Sequence, residues 1–363
     1  MADAILEKYT KEYIQSQQVQ DITFVWQGGE PVLAGLDFYK QAVLMQHKYA
    51  GGKRISNAFQ TNGTLLTDEW CRFFAGQGFL VGISIDGPCE IHNRYRTNKT
   101  GTPSYDLVMK GIDRLRKYAV EFNTLTTVNR FNQDYPVDLY HFLKKIGSRY
   151  IQFLPVVEKI ALGDGRPINL SDNESGNIAP WSVEPLSYGN FMMAVFDDWV
   201  RNDVGEVFVQ LFDATLANWV GANPGVCIYK KQCGDALVIE YNGDVFACDH
   251  FVFKEYRLGN ILESTFLELL YSQSQKQFGM HKSNSLPEQC KVCKWLFACY
   301  GECPKNWLSQ CSGQKAGINY LCEGLTLFFS HVSPYMQFMA QKLEKKQPPA
   351  HVMEWVESGD YKN

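Results

Sequence analysis

Residues 80–88, LVGISIDGP, join an apolar run to a polar turn that contains glycine. The apolar part predicts a short buried strand over 80–85, and the residues that follow predict a loop at the carboxyl end of that strand. Two other stretches repeat the arrangement: WQGGEP at 26–31 follows the strand pattern ITFVW at 22–26, and QTNGT at 60–64 follows another strand. Ligands gather at the carboxyl ends of strands in parallel α/β folds, so the three loops predict one shared ligand site.

Strand and helix patterns alternate along the chain as far as about Pro155. Thr67 is a suitable N-cap for one of the predicted helices. The other predicted strands cover 55–60, 121–128 and 150–155, and the predicted helices cover 3–18, 37–49, 67–77, 104–118 and 137–146. This alternation predicts an α/β fold whose parallel strands are joined by right-handed crossovers, in an open sheet or in a full or partial barrel.

The pattern changes after the last of these strands. Residues 158–185 are rich in glycine and polar residues and predict a loop. Residues 187–220 predict two helices whose Phe, Met and Trp side chains pack in a core rather than bind a ligand. Residues 318–345 predict a long closing helix, and the polar tail from Lys346 is expected to be loose.

Composition excludes several classes of protein. The chain has 363 residues, is 45% apolar and carries a net charge of -4, so it is neither disordered nor basic enough to make nucleic acid a main partner. No apolar run reaches the roughly 18 residues of a membrane span, and the N-terminus lacks a signal-peptide core. These features predict a cytoplasmic protein without a membrane partner.

The eleven cysteines are distributed unevenly, with nine of them between Cys227 and Cys322. Eight of the nine are enough for two four-thiolate sites: Cys227, Cys233, Cys248, Cys290, Cys293, Cys299, Cys303 and Cys322. A Cys-x2-Cys turn binds zinc and iron–sulfur clusters alike, so the spacing leaves both open, with disulfides as a third alternative. Cys71, Cys89 and Cys311 remain, and we expect them to be small buried apolar side chains.

The order of these motifs resembles a known superfamily. The GGEP loop, QTNGT, GISIDGP followed by HNRYR, and the late cysteine array resemble the radical S-adenosylmethionine enzymes that carry a SPASM domain. Within that superfamily Cys227, the sequence GDVFACD at 243–249 and the sequence LGNI at 258–261 resemble the anaerobic sulfatase-maturating enzymes. Those enzymes oxidise a Cys or Ser of a sulfatase to Cα-formylglycine.

The resemblance implies roles for individual residues. It implies that S-adenosylmethionine is contacted by Gly28, Ser84, Arg96 and Leu154. It implies one auxiliary [4Fe-4S] cluster on Cys227, Cys233, Cys248 and Cys303, and a second on Cys290, Cys293, Cys299 and Cys322. Asp249 matches the carboxylate assigned as general base, and chemistry supports this: a carboxylate beside a cluster ligand can accept the proton released during oxidation of the target side chain.

The resemblance also implies an architecture and partners. The expected fold is a partial (β/α)6 TIM-like barrel with its first strand missing, followed by a cysteine-rich SPASM domain with a small β-hairpin and helices. The expected boundaries are a barrel with connecting helices over 1–220, a SPASM domain over 221–330, and a C-terminal helix and tail over 331–363. The expected partners are a sulfatase polypeptide and an electron donor such as flavodoxin or ferredoxin.

One expected motif is absent from the sequence. Radical S-adenosylmethionine enzymes hold a further cluster on Cys-x3-Cys-x2-Cys, and no such motif occurs in the 363 residues. We therefore expect that this chain does not cleave S-adenosylmethionine, either because an N-terminal segment has been lost from a working enzyme or because a natural fragment has survived. Two other functions stay open: another SPASM peptide maturase, and a non-catalytic iron–sulfur or zinc protein that binds a peptide.

Overall fold

The computed structural model describes residues 1–163, 165–168, 176–234, 236–308 and 317–359. Strands β1 to β12 are, in order, Asp21–Trp26, Arg54–Thr61, Leu80–Ser84, Phe122–Val128, Tyr150–Pro155, Lys159–Ala161, Pro167–Ile168, Gly176–Ile178, Phe208–Val209, Val238–Ile239, Asp244–Phe246 and Arg257–Asn260. Helices α1 to α14 are, in order, Asp3–Ser16, Leu36–Tyr49, Asp68–Gln77, Cys89–His92, Tyr105–Lys117, Pro136–Lys145, Pro185–Asn202, Gln210–Trp219, Phe266–Leu270, Gln273–Asn284, Glu288–Lys291, Leu296–Cys299, Cys322–Glu344 and His351–Glu357.

Six of the strands form one parallel sheet in the order β1-β2-β3-β4-β5-β9. Strand β1 shows why such strands form: Ile22, Phe24 and Trp26 are buried while the residues between them are exposed. The predicted α/β fold with parallel strands is confirmed. Thr67 also caps α3 as predicted, because its side chain accepts a hydrogen bond from the main-chain N–H of Trp70.

The two helices predicted over 187–220 are present as α7 and α8, and a short strand that the sequence did not predict lies between them. Phe208 and Val209 form β9 between α7 and α8, and the main-chain N–H of Phe208 donates to Arg149 O at 2.7 Å. The ring of Phe208 stacks on Tyr150, with the two ring centroids 5.0 Å apart. A two-residue strand has no readable period, so only pairing with β5 reveals it.

Three predictions from the second half of the chain need correction. Part of the loop over 158–185 forms a three-stranded antiparallel sheet in the order β7-β6-β8; residues 164 and 169–175 of that loop lie outside the described residues. The small β-hairpin is a three-stranded sheet of β10, β11 and β12. The tail is ordered by α14, because Val352 and Val356 are buried and Trp355 stacks on Phe338 at 4.5 Å.

The chain divides into two compact units. The first unit contains 1–83, 110–122 and 232–284, and the second contains 84–109, 123–231 and 285–363. The domain boundaries predicted from the sequence stay predictions. None of the helices in the described ranges combines the length and the apolar character that crossing a membrane requires.

Each unit has its own apolar core. In the first unit Ile5 of α1 packs with Val245 of β11 and with Ile261 and Leu269, so the small antiparallel sheet rests on the first helix. In the second unit the rings of Phe196, Phe212 and Phe328 meet where α7, α8 and α13 pack together. Apolar contacts of its own therefore stabilise each unit.

Helices α7 and α13 cross at a pair of glycines. A Cβ atom added at Gly189 would collide with the main-chain oxygen of Gly324, and one added at Gly324 would collide with the main-chain oxygen of Pro185. Both of these oxygens belong to the backbone, so they cannot move aside as a flexible side chain can. The crossing therefore requires glycine at both positions.

We expect Gly324→Ala to lower the free energy of unfolding by about 1–3 kcal/mol, because the added methyl group overpacks this crossing. Thermal unfolding measures the effect as a fall in Tm. The matched control is Gly76→Ala, which lies in α3 with open space around its Cβ position and should leave Tm unchanged or raise it. An unchanged Tm for Gly324→Ala would contradict this account of the crossing.

Candidate functional site

In the first unit, Glu30 joins the loops that follow β1 and β2. One carboxylate oxygen of Glu30 accepts a hydrogen bond from Thr61 Oγ1 at 2.7 Å, and the other accepts one from the main-chain N–H of Asn62 at 2.9 Å. Gly28 lies two residues before Glu30 and has a φ of 93°. A Cβ atom added to Gly28 would have no other atom within 4 Å. The main chain at Gly28 is therefore open to a ligand, in a conformation that favours glycine.

The same loop contacts the candidate base. Gln27 Nε2 donates to Asp249 Oδ2 at 3.1 Å, across 222 residues of sequence. The thiol of Cys248 donates to the other oxygen of Asp249 at 3.2 Å. Asp249 itself is exposed, so a substrate can reach its carboxylate. The structure thus brings together Gln27, Asp249 and one predicted cluster ligand.

A buried glutamine holds the main chain beside two predicted ligands, Cys233 and Cys248. Gln275 is 2% exposed, and its Nε2 donates to Gly234 O at 2.7 Å and to Ala247 O at 3.2 Å. Each acceptor is the sequence neighbour of one of the two cysteines. Sequence reasoning missed Gln275, and its position in an ordinary polar helix contains no signal that could have found it.

In the second unit, the carboxylate of Asp86 organises the loop that follows β3. This side chain is 3% exposed, and its two oxygens accept hydrogen bonds from Arg96 Nε at 2.6 Å and Arg96 Nη2 at 3.1 Å. Asp86 Oδ1 also accepts the main-chain N–H of Thr127 at 2.8 Å. Arg96 is therefore held in one orientation, with donors left for another partner because a guanidinium carries five N–H groups.

Two other predicted contacts of S-adenosylmethionine, Ser84 and Leu154, lie near the carboxyl ends of β3 and β5, the strands on either side of β4. Ser84 is the last residue of β3 and is half-buried. Leu154 lies near the carboxyl end of β5, and its side chain is 38% exposed. The main-chain N–H of Ile85 donates to Leu125 O, and that of Val156 donates to Val128 O, so the segments after Ser84 and Leu154 both border β4.

His92 links the loop after β3 to Arg96 through a chain of hydrogen bonds. The main-chain N–H of Asp86 donates to His92 Nδ1 at 3.2 Å, so Nδ1 is unprotonated and the ring proton is on Nε2. Nε2 then donates to Ser104 Oγ at 3.0 Å, and this hydroxyl donates to Arg96 O at 2.8 Å. Burial lowers the pKa of His92 to about 4, with a smaller lowering contribution from the Arg96 charge and an opposing one from Asp86.

Four predicted cluster ligands lie together in the second unit. Burial raises the pKa of the Cys290 thiol to about 11, and the neighbouring Cys322 and Cys293 thiols contribute to that rise. Burial also raises the pKa of Cys299 to about 12, with Glu302 as the next cause. Bare thiolates are thus unfavourable here unless a positive group compensates them, as a bound metal ion or cluster would do.

Asparagine side chains fix the loops that present these thiols. Asn319 Nδ2 donates to the buried carboxylate of Glu302, which also accepts from Asn306 Nδ2 at 3.1 Å. Asn319 Oδ1 accepts the main-chain N–H of Leu321 at 2.8 Å, just before Cys322 begins α13. This network is local in sequence, yet only the structure shows that it ties the Cys303 loop to the start of α13.

The remaining predicted ligands are divided between the units: Cys233 and Cys248 belong to the first, and Cys227 and Cys303 to the second. None of the ten cysteines within the described ranges is in a disulfide. Those ranges also contain no group of three His, Cys, Asp or Glu side chains close enough to bind a single metal ion. Cys71 is buried as predicted, whereas Cys89 is exposed, because it begins the short surface helix α4; Cys311 lies outside the described residues.

Two family models match the chain. The Radical SAM superfamily model matches residues 4–143, and the SPASM model, described as an iron-sulfur cluster-binding domain, matches residues 227–294. A serine-type anaerobic sulfatase-maturating enzyme of Bacteroides thetaiotaomicron is 51% identical over all of this chain and 88% of its own length. The chain belongs to the anaerobic sulfatase-maturating enzymes.

Other sulfatase-maturating enzymes agree with this assignment. The serine-type enzyme of Klebsiella aerogenes is 37% identical over 92% of this chain and 78% of its own length, and a cysteine-type enzyme of Clostridium novyi is 34% identical over 94% and 88%. The solved structure of native anSMEcpe with bound AdoMet and the Cp18Cys peptide superposes with a TM-score of 0.84 at 30% identity, over 94% of this chain and 92% of that one. The expected barrel followed by a SPASM domain is therefore confirmed, and the chain is a radical SAM enzyme with an iron–sulfur domain.

We expect acidification to destabilise the protein through His92. Its pKa is about 4 in the folded chain and 6.5 for an ordinary histidine, so the unfolded chain binds the proton first as the pH falls from 6.5 to 4. The loss is at most about 3 kcal/mol, present in full below pH 4 and absent above pH 6.5. Thermal or urea unfolding at several pH values should show a smaller loss in His92→Gln, while the exposed His47→Gln keeps it. Identical pH profiles for wild type and His92→Gln would contradict the assignment.

Proposed function

We propose that this chain is a serine-type enzyme, which converts a serine in a sulfatase polypeptide to Cα-formylglycine. The serine target rests on the 51% identity to a serine-type enzyme over the whole chain. The observation that carries the mechanism is the contact between Gln27 and Asp249 beside Cys248. It supports Asp249 as the general base, because the contact holds a reachable carboxylate next to a proposed cluster ligand.

We propose that eight of the cysteines hold two auxiliary [4Fe-4S] clusters. Cys290, Cys293, Cys299 and Cys322 share one electrostatic environment within the second unit. The thiols of Cys290 and Cys299 have raised pKa values there, which agrees with ligands that lose their protons only when a cluster binds. We propose that the other cluster is held by Cys227, Cys233, Cys248 and Cys303.

Gly28, Ser84, Arg96 and Leu154 are proposed to hold S-adenosylmethionine. Support for this comes from the open main chain at Gly28 and from the fixed guanidinium of Arg96, which keeps donors beyond those that bind Asp86. Main-chain N–H and C=O groups next to a glycine can bind a charged amino-acid head group. The side chain of Leu154 offers an apolar surface at the strand ends of its own unit.

The chemistry divides between bound groups and the chain's own residues. Oxidation of serine to the aldehyde removes a hydrogen atom from Cβ, a proton from Oγ and one further electron; when bound, S-adenosylmethionine and the clusters supply hydrogen-atom abstraction and electron acceptance. Asp249 accepts the proton. When Cys248 ligates iron as a thiolate it no longer donates to Asp249, so Gln27 keeps Oδ2 in place and Oδ1 is left to take the proton.

The remaining parts of the proposal concern partners and surroundings. We propose a flavodoxin or ferredoxin as electron donor, since the chemistry requires single electrons. We also propose a cytoplasmic location and the boundaries 1–220, 221–330 and 331–363, on the basis of the apolar and cysteine patterns of the sequence. The sulfatase polypeptide is the proposed macromolecular substrate.

Anaerobic reconstitution tests the clusters. We expect about eight iron and eight sulfide per chain, as two [4Fe-4S] clusters require. Cys299→Ala should lower both to about four, because one cluster loses a ligand. Cys89→Ala is the matched control, since Cys89 is exposed and outside both ligand sets, and its metal content should equal that of the wild type. Two zinc atoms without sulfide would contradict the proposal.

Peptide conversion tests the reaction. Because the 363 residues include no Cys-x3-Cys-x2-Cys, the assay uses the chain extended at its N-terminus by a segment that carries this motif. A sulfatase peptide with a target serine should lose two hydrogen atoms, detected by mass spectrometry.

Asp249→Asn should slow the conversion by about a hundredfold or more, because the general base is removed. Asp37→Asn, an exposed carboxylate on α2, is the control. Equal rates for Asp249→Asn and wild type would refute the role of Asp249, and an unmodified peptide would refute the function.

A further inference from the structure

A cavity of about 600 Å³ lies in the second unit beyond the carboxyl ends of β4 and β5, and none of the proposed cofactor, cluster or base residues lines it. Part of its wall is apolar, and the rest carries charged and hydroxyl groups. Its described lining includes Arg130, Pro180, Glu184, Pro185, Leu186 and Glu323. The volume is large enough for one or two amino-acid side chains.

Main-chain hydrogen bonds place this cavity beside the proposed site. The N–H of Val183 donates to Val156 O at 2.9 Å, and Val156 lies two residues after Leu154. The N–H of Arg130 donates to Trp181 O at 2.9 Å, which joins the same wall to the end of β4. Glu323, another residue of the lining, follows Cys322, a proposed cluster ligand, at the start of α13. The cavity therefore borders segments that carry a proposed cofactor contact, Leu154, and a proposed cluster ligand, Cys322.

The charges in the cavity do not cancel. Arg130 forms an ion pair with Glu184, and the hydroxyl of Ser187 donates to the same carboxylate at 3.3 Å. Glu323 is exposed and has no hydrogen bond or ion pair among the described residues. Among the described residues the lining thus carries one uncompensated negative charge, next to the apolar wall of Pro180, Pro185 and Leu186.

We propose that this cavity is a subsite for a lysine or arginine side chain of the polypeptide substrate. The apolar wall suits the methylene stem of such a side chain, and Glu323 pairs with its charged end. The inference rests on the proposed function, because it assumes a polypeptide at the neighbouring site. An acidic side chain does not fit, since Arg130 is already neutralised by Glu184.

Binding of labelled serine peptides to the reconstituted chain, measured by fluorescence anisotropy, tests the subsite. In a series that moves one arginine along an otherwise neutral peptide, arginine at one position should tighten binding about three- to tenfold relative to glutamine. Glu323→Gln should abolish this preference, and Glu323→Lys should replace it with a preference for glutamate. Glu344→Gln, at the other end of α13, is the matched control and should keep the preference.

The outcomes separate the two proposals. Iron content is measured for each variant, because Glu323 lies next to Cys322, and an unchanged value shows that the cluster is intact. Binding that is insensitive to the arginine position, or a preference that survives in Glu323→Gln, overturns the subsite and leaves the proposed function standing. No binding to any serine peptide overturns the proposed function and the subsite together.

Discussion

The buried carboxylate of Asp86 is the interaction on which the second unit's part of the site depends. A carboxylate removed from water is costly unless its oxygens are paired. Here Arg96 supplies two donors and the main chain of Thr127 supplies a third. Compensating this one charge brings the ends of β3 and β4 together with the loop that carries Arg96. The need to compensate a buried charge therefore determines the geometry of a surface that is proposed to bind a ligand.

Amide side chains fix the main chain around the cysteines in a similar way. Gln275 and Asn319 are both almost fully buried, and each joins main-chain segments that lie next to proposed cluster ligands. A thiolate ligand must be held in position before the cluster binds, or ordering it weakens the binding. Amides suit this purpose because they donate and accept without adding charge near thiolates that are already unfavourable.

Most of the regular elements could be predicted from the sequence, because their signals are local. The strands at 22–26, 55–60 and 80–85 and the cap at Thr67 follow from apolar runs and side-chain chemistry, and all are present. The exceptions have a common cause. Strand β9, the sheet at 159–178 and helix α14 are short elements stabilised by distant partners, such as Tyr150 for Phe208 and Phe338 for Trp355. No window of sequence contains those partners.

The candidate site shows the same division. Cysteine spacing and the glycine-containing loops identified the family and the residues that are proposed to bind clusters and cofactor, since ligand chemistry requires particular side chains at particular intervals. The sequence by itself therefore determined the fold class and the candidate chemistry. Only the tertiary structure decided which groups support them: that Gln27 reaches Asp249 across 222 residues, and that Asp86 holds Arg96. The physical reason is that hydrogen bonds act over about 3 Å in space, and separation along the chain places no constraint on which groups come that close.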